Sequence, residues 1–90
     1  MTAERSDELM QRITTNPSVF DGKPIVRNKR LAVEHVLADL AAGETPESIL
    51  ANFPFLELDD IRACLLFASR EFGPAWALHH SAQEADANPG

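Results

Sequence analysis

The sequence has a single cysteine, Cys64, and so cannot form an internal disulfide. No apolar run approaches the roughly 18–20 residues that a membrane-spanning helix needs. The first eight residues are polar and acidic, whereas a secretory signal has a charged start followed by an apolar stretch. These absences exclude a disulfide scaffold and lead us to expect a cytoplasmic protein.

Basic residues are also scarce, with eight Lys and Arg against fourteen Asp and Glu and a net charge of −6. This balance argues against a protein that coats nucleic acid through overall attraction. A small basic patch is nevertheless present, and we treat its four members and one later arginine as candidate DNA-binding residues: Lys23, Arg27, Lys29, Arg30 and Arg62. Two alternatives remain open for the patch, a charged edge that prevents aggregation and a contact with an acidic protein surface.

The residue types that carry catalysis or bind metals are few and poorly spaced. The four glycines are isolated, so no phosphate-binding loop is present, and no Cys/His spacing resembles a zinc site. Cys64 lies in an apolar segment, which predicts an inert buried thiol. We therefore predict no enzymatic activity, no metal and no other cofactor.

Ninety residues form one small domain. A chain of this size buries only about 60–65% of the surface that its unfolded form exposes, so its core is thin and pairing with another chain is expected. We predict a flexible arm over residues 1–9, a single domain over 10–80 and a disordered tail over 81–90.

Short β segments are predicted before the first helix. Residues 11–15 include the β-branched Ile13, and two apolar segments flank Asn28-Lys29, where asparagine suits a two-residue hairpin turn. Such short strands are marginal alone, so we expect them to pack on helices or to pair with another chain. The second outcome makes Ile13 and Ile25 candidate contacts with a partner or a second copy.

Three helices follow. The first is predicted over 33–42, with Gly43 as its C-cap, and the second begins with Thr45 as N-cap and Pro46 at the first helical position. Pro54 ends the second helix, and a third is predicted over 58–72. A helix, a short break and another helix form the outline of a helix-turn-helix.

The third helix carries a predicted core stripe at helical spacing, which consists of Leu58, Ile61, Leu65, Ala68 and Phe72. Leu66 and Phe67 lie off that stripe and, with Trp76 beyond the helix, are candidate partner contacts. Coverage by the chain itself remains the alternative. The helix begins with Glu57, Asp59 and Asp60, which would repel phosphates.

The order of these segments resembles the prokaryotic family known as domain of unknown function 433. The resemblance covers residues 12–72 and rests on a β segment with a proline turn, Gly22-Lys23-Pro24, an Ile25-Val26-Arg27 segment, and the block from Gly43 through Ile61. The chain departs from the family pattern at Asn28-Lys29, where Gly-Thr is usual, and at Glu57, where a threonine cap is usual.

The resemblance implies a mainly α, homeodomain-like three-helix bundle with a short N-terminal β arm or hairpin. It further implies a VapB-like type II antitoxin, commonly dimeric, that binds and neutralises a PIN-like nuclease toxin and represses its own operon. We accordingly expect an antitoxin-like protein that forms a homodimer and binds a toxin, with DNA as a further candidate partner. The alternative is a stand-alone DNA-binding regulator.

Overall fold

The computed structural model describes residues 2–71, which form four α-helices and a two-stranded antiparallel sheet. The elements are α1 (Ala3–Met10), β1 (Ile13–Thr14), β2 (Ile25–Val26), α2 (Val33–Ala41), α3 (Pro46–Asn52) and α4 (58–71). The predicted mainly α fold with a short β hairpin is confirmed. The predictions for Phe72, Trp76 and the tail over 81–90 lie outside the described residues. No helix within 2–71 combines the length and apolarity that crossing a bilayer requires.

Helix α1 occupies the segment for which we predicted a flexible arm. Thr2 caps it, since its Oγ1 accepts the backbone N–H of Arg5 at 3.1 Å, and the side chain of Leu9 is fully buried. Sequence analysis missed this helix because a mostly polar segment with one buried leucine carries almost no apolar periodicity.

The hairpin pairs Ile13 with Val26 and Thr14 with Ile25. The turn that follows β2 is centred on Arg27 and Asn28, which have φ of 43° and 56°, and not on Asn28-Lys29 as predicted. The Lys29 N–H donates to the Val26 carbonyl at 2.8 Å and closes this turn. A type I′ hairpin turn requires two consecutive positive φ angles. Asparagine often adopts a positive φ, whereas arginine rarely does, so the conformation of Arg27 is the unusual one.

Helices α2 and α3 begin and end where the sequence predicted. Gly43 has φ of 101°; its N–H donates to the Leu40 carbonyl at 3.1 Å, and the next N–H, of Glu44, donates to the Asp39 carbonyl at 3.0 Å. This is a Schellman motif. Thr45 caps α3 by accepting the Ser48 N–H at 3.1 Å. These short-range bonds join the two helices in a fixed geometry.

The main core lies between the hairpin and α2, α3 and α4. Its buried members are Val26, Leu31, Val33, Val36, Ile49, Leu56, Ile61 and Cys64. The predicted α4 stripe is wrong at Leu58 and Leu65, which are 42% and 49% exposed. Of its members among residues 2–71, Ile61 alone is buried in the core. The inward face instead carries Asp60 and Cys64.

The docking of α1 can be tested by removing its buried anchor. We expect Leu9→Ala to lower the free energy of unfolding by about 2–5 kcal/mol, because it leaves a cavity beneath the helix. Urea denaturation monitored by circular dichroism measures this. The half-buried neighbour offers a matched control, Met10→Ala, which should cost clearly less. Equal small effects for both variants would show that residues 3–10 are a detached arm.

Candidate binding surface

Two arginines are brought together by the hairpin register. Arg12 precedes β1 and Arg27 follows β2, and because Ile13 pairs with Val26 both arginines lie at the same end of the sheet. The Arg27 N–H donates to the Arg12 carbonyl at 2.7 Å. Like charges at this spacing repel, so the pair needs a common anion.

Asp60 of α4 supplies that anion. Its side chain is fully buried, and Arg27 binds it through two bonds, Nε to Oδ1 at 3.0 Å and Nη2 to Oδ2 at 2.8 Å. Arg12 Nη1 adds a bond to Oδ1 at 3.0 Å, and the backbone N–H of Glu57 donates to Oδ2 at 2.8 Å. The last bond caps α4 from its third residue, as in a capping box. The carboxylate thus binds both arginines and the start of its own helix.

Asp59, the preceding residue, continues this network toward α1. Arg5 Nη2 lies 2.6 Å from Asp59 Oδ1, and Arg62 Nη1 lies 3.0 Å from the same oxygen. Arg12 also reaches Glu57 at 2.6 Å. We call the seven residues of this cluster the arginine–carboxylate network; they are Arg5, Arg12, Arg27, Glu57, Asp59, Asp60 and Arg62. It connects α1, the end of the sheet where β1 begins and β2 ends, and the first turn of α4.

The network shifts the pKa of its carboxyl groups. Burial alone would raise the pKa of Asp60, but hydrogen bonds from Arg27, the Glu57 N–H and Arg12 outweigh burial and lower it. Hydrogen bonds from Arg5 and Arg62 lower the pKa of Asp59 from 3.8 to about 2. Both groups are therefore charged at neutral pH and hold their partners.

The candidate DNA-binding residues are mostly engaged within the chain. Arg27 and Arg62 bind the carboxylates just described, and Lys23 Nζ lies 2.8 Å from Glu34 Oε1. Lys29 and Arg30 have no carboxylate within 4.0 Å among residues 2–71 and lie instead over aromatic rings. Of the three acids that begin α4 and were expected to repel phosphates, Asp60 instead faces the core. The basic patch is thus smaller than the sequence suggested.

Three large apolar side chains are exposed on the outer side of α4 and on the turn before it. The large hydrophobic side chains that are exposed in the described part of the chain are Phe55, at 38%, and Leu58 and Leu65, at 42% and 49%. Leu58 and Leu65 are seven residues apart and so share one side of the helix. Arg62 lies between them on that side, and the Lys29 ammonium lies 5.9 Å from the centre of the Phe55 ring. We call Phe55, Leu58 and Leu65 the outer apolar face.

The residues predicted as partner contacts are not part of the outer apolar face. Ile25 is fully buried within the chain, so it offers no surface to a partner, because β2 is covered by the chain itself. Ile13, Leu66 and Phe67 are half-buried, and Ile13 and Phe67 pack against the main core. Trp76 lies outside the described residues. Phe67 remains accessible, since it lines a groove beside Pro24 and Leu37.

The described residues carry no cluster of three or more His, Cys, Asp or Glu that could hold a metal ion. Cys64 is buried, and burial together with the nearby Asp60 raises the pKa of its thiol to about 12, so it stays protonated and unreactive at neutral pH.

Sequence reasoning missed Asp60 and Arg12 as the centre of the structure. The sequence pattern presents Asp60 as one of three acids at a helix start, places Arg27 in a basic patch and gives no role to Arg12. One signal was available: Arg12 and Arg27 adjoin two predicted β segments, and an acid stands at the third position of a helix whose residue at the cap position, Glu57, caps poorly.

Two comparisons with known proteins place this chain in a family. A family model described as a protein of unknown function (DUF433) matches residues 13–68, from β1 to the inner face of α4. The chain is also 35% identical over 69 residues to the uncharacterized protein y4eO of Sinorhizobium fredii; the match covers 73% of this chain and 31% of that protein. The chain therefore spans about a third of this relative's length. No solved structure matches.

The network predicts a specific dependence of stability on pH. A carboxyl group whose pKa is lowered by folding stabilises the fold above its ordinary pKa and loses that effect as pH falls through its folded pKa. We therefore expect the free energy of unfolding to fall between about pH 4 and about pH 2. Urea titrations across that range measure it.

A matched pair of variants tests whether the network causes this loss of stability at acid pH. Asp59→Asn should reduce the acid loss over this range, whereas Asp7→Asn, which changes an exposed carboxylate without an ion-pair partner among residues 2–71, should leave it intact. An unchanged slope in Asp59→Asn would contradict the role given to this carboxylate.

Proposed function

Because the chain belongs to the DUF433 family, we propose that it is a non-enzymatic, antitoxin-like module that neutralises a PIN-like nuclease toxin by covering its surface. The observation that carries this proposal is the outer apolar face. Its two leucines lie on α4, the helix that would read DNA in a helix-turn-helix, and they present hydrophobic side chains where a DNA reader needs polar ones.

The size of this face indicates how it is used. Full burial of a leucine or phenylalanine contributes about 1.5–3 kcal/mol, and the three side chains are exposed by about two-fifths to one-half, so together they supply roughly 2–4 kcal/mol. Micromolar binding needs about 8 kcal/mol. The outer apolar face therefore serves as the central anchor of a larger contact, with Arg62 between its two leucines and Lys29 over the Phe55 ring.

Charge favours a basic partner. The chain carries a net charge of −6, and most of its arginines are neutralised internally. An enzyme that binds and cuts nucleic acid presents a positive surface to its substrate, so an acidic protein is attracted to it. Complementary charge of this kind accelerates association and is weakened by salt.

Two other uses of the same region compete with this proposal. A second copy of the chain could bury the outer apolar face in a homodimer, and a DNA-binding regulator would use Lys29 and Arg30, which have no carboxylate partner within residues 2–71. DNA contact through these two residues is compatible with toxin binding through α4, as autorepression requires.

Binding to a PIN-like nuclease toxin from the same genome tests the proposal. We expect Leu65→Glu to weaken the complex at least tenfold, because it places a charge in an apolar contact, as measured by isothermal titration calorimetry. Ala38→Glu introduces the same charge at an exposed position of α2 and should bind like the unaltered chain. Absence of a complex with the unaltered chain would overturn the proposal.

The alternatives predict other outcomes for the same variants. A homodimer through this face would dissociate on Leu65→Glu in the absence of any toxin, as light scattering would show. A DNA-binding regulator would shift its own promoter DNA in a gel, and the shift would be lost on combined Lys29→Ala and Arg30→Ala but retained by Leu65→Glu. Arg27→Ala is unsuitable for this test because it breaks the arginine–carboxylate network.

A further inference from the structure

The strand β1 forms an open edge of the sheet. Its neighbour β2 is paired on both sides, because the Val26 N–H donates to the Leu31 carbonyl at 3.1 Å and the Val33 N–H donates to the Pro24 carbonyl at 3.0 Å. These bonds place residues 31–33 along the side of β2 that faces away from β1. Within residues 2–71, no strand pairs with the other side of β1. An open edge offers backbone N–H and carbonyl groups to another strand.

The register of the hairpin determines which backbone groups point outward from β1. The Arg27 N–H donates to the Arg12 carbonyl at 2.7 Å, so these two residues bond across the hairpin. Bonded and non-bonded pairs alternate in an antiparallel ladder, and Ile13 opposite Val26 is therefore a non-bonded pair. The N–H and carbonyl of Ile13 point away from β2, and those of Thr15 follow two residues later. The hydrogen bonds among residues 2–71 include none to these four groups.

The open segment is short because the chain itself uses the backbone groups on both sides of it. The Arg12 N–H donates to the Leu9 carbonyl at 3.0 Å, and the Asn16 carbonyl accepts the Val19 N–H at 2.8 Å. Pro17 has no N–H to donate. The segment consists of Ile13, Thr14 and Thr15, which are all β-branched and uncharged. Such residues favour strands, and the segment lacks the charges and prolines that usually protect an edge.

We propose that two copies of the chain join their β1 edges in antiparallel orientation about a two-fold axis at Thr14. The Ile13 N–H then donates to the Thr15 carbonyl of the second copy, and the Thr15 N–H donates to the Ile13 carbonyl of the second copy. The symmetry repeats both bonds, so every outward backbone group of both segments gains a partner. The two hairpins become one sheet with the strand order β2, β1, β1 and β2.

A second copy fits this edge because the segment is complementary to itself. Its donors and acceptors are arranged symmetrically about Thr14, and no side chain within it carries a charge that would meet the same charge across the axis. The contact is small, so we expect a dimer that depends on protein concentration. It uses no residue of the outer apolar face, which stays available for a different partner. The inference is therefore independent of the proposed function.

Salt separates this contact from the proposed toxin complex. Each copy carries a net charge of −6, so two copies repel each other at long range. Added salt screens that repulsion and should strengthen the dimer. The proposed complex with a basic toxin should respond in the opposite direction, because salt weakens the attraction between opposite charges.

Sedimentation equilibrium of the full chain measures the association. We expect the average mass to rise toward that of a dimer as concentration increases. Thr15→Pro should weaken the dimer roughly tenfold or more, because it removes an outward N–H from each copy and breaks no bond within residues 2–71. Ala3→Pro is the matched control, since it introduces the same residue at the first position of α1, where proline is tolerated, and it should associate like the unaltered chain.

Cysteine cross-linking tests the register. In the proposed pairing Thr14 lies opposite Thr14 of the second copy, with Cα atoms about 4.5 Å apart, which suits a disulfide. The two Thr15 residues are offset along the strands and lie roughly 8 Å apart, beyond the reach of a disulfide. Under mild oxidation Thr14→Cys should therefore form a covalent dimer and Thr15→Cys should not. The native Cys64 is buried and does not interfere.

Three outcomes would overturn the proposal. The first is a monomer at every concentration. The second is a dimer that survives Thr15→Pro but dissociates on Leu65→Glu, which would assign the contact to the outer apolar face. The third is equal cross-linking of the two cysteine variants. Circular dichroism checks that each variant folds, and if Thr15→Pro does not, the cross-linking pair decides.

Discussion

The buried carboxylate of Asp60 is the interaction on which the rest of this structure depends. Placing an unpaired charge in a protein interior costs several kcal/mol, so Asp60 is stable there only because Arg27, Arg12 and the Glu57 N–H satisfy it. Removing one partner of such a pair typically costs about 3–5 kcal/mol. Arg27 also holds a left-handed backbone conformation with φ of 43°, which is disfavoured by about 1–3 kcal/mol. The network offsets this cost and thereby holds the hairpin turn against α4.

The orientation of α4 follows from this constraint. Since Asp60 must face the arginines, the helix turns Cys64 inward and leaves Leu58 and Leu65 outside. The same bonds occupy Arg27, the arginine that would otherwise dominate a basic patch. One set of interactions thus removes positive charge from the surface and creates an apolar face on it, and both effects support the proposal that the chain binds a protein.

Features set by neighbouring residues could be predicted from the sequence. The Schellman motif at Gly43, the Thr45 cap and the stop at Pro54 each depend on bonds within a few positions, and all lie where the pattern indicated. Features set by distant partners could not. The face that α4 buries depends on Arg12 and Arg27, which lie 48 and 33 residues away from Asp60. Apolar residues at helical spacing therefore predicted that Leu58 and Leu65 face the core, whereas both lie on the exposed side of α4.

The central claim is that Asp60 and Arg27 stabilise the fold as a pair, and a double-mutant cycle tests it most directly. The free energies of unfolding of the unaltered chain, Asp60→Asn, Arg27→Gln and the double variant are measured by urea denaturation at neutral pH. The structure predicts that each single change is strongly destabilising and that the double variant is more stable than the sum of the two single effects implies, by a coupling energy of roughly 1–3 kcal/mol. Additive effects, with no coupling between the two positions, would contradict the account.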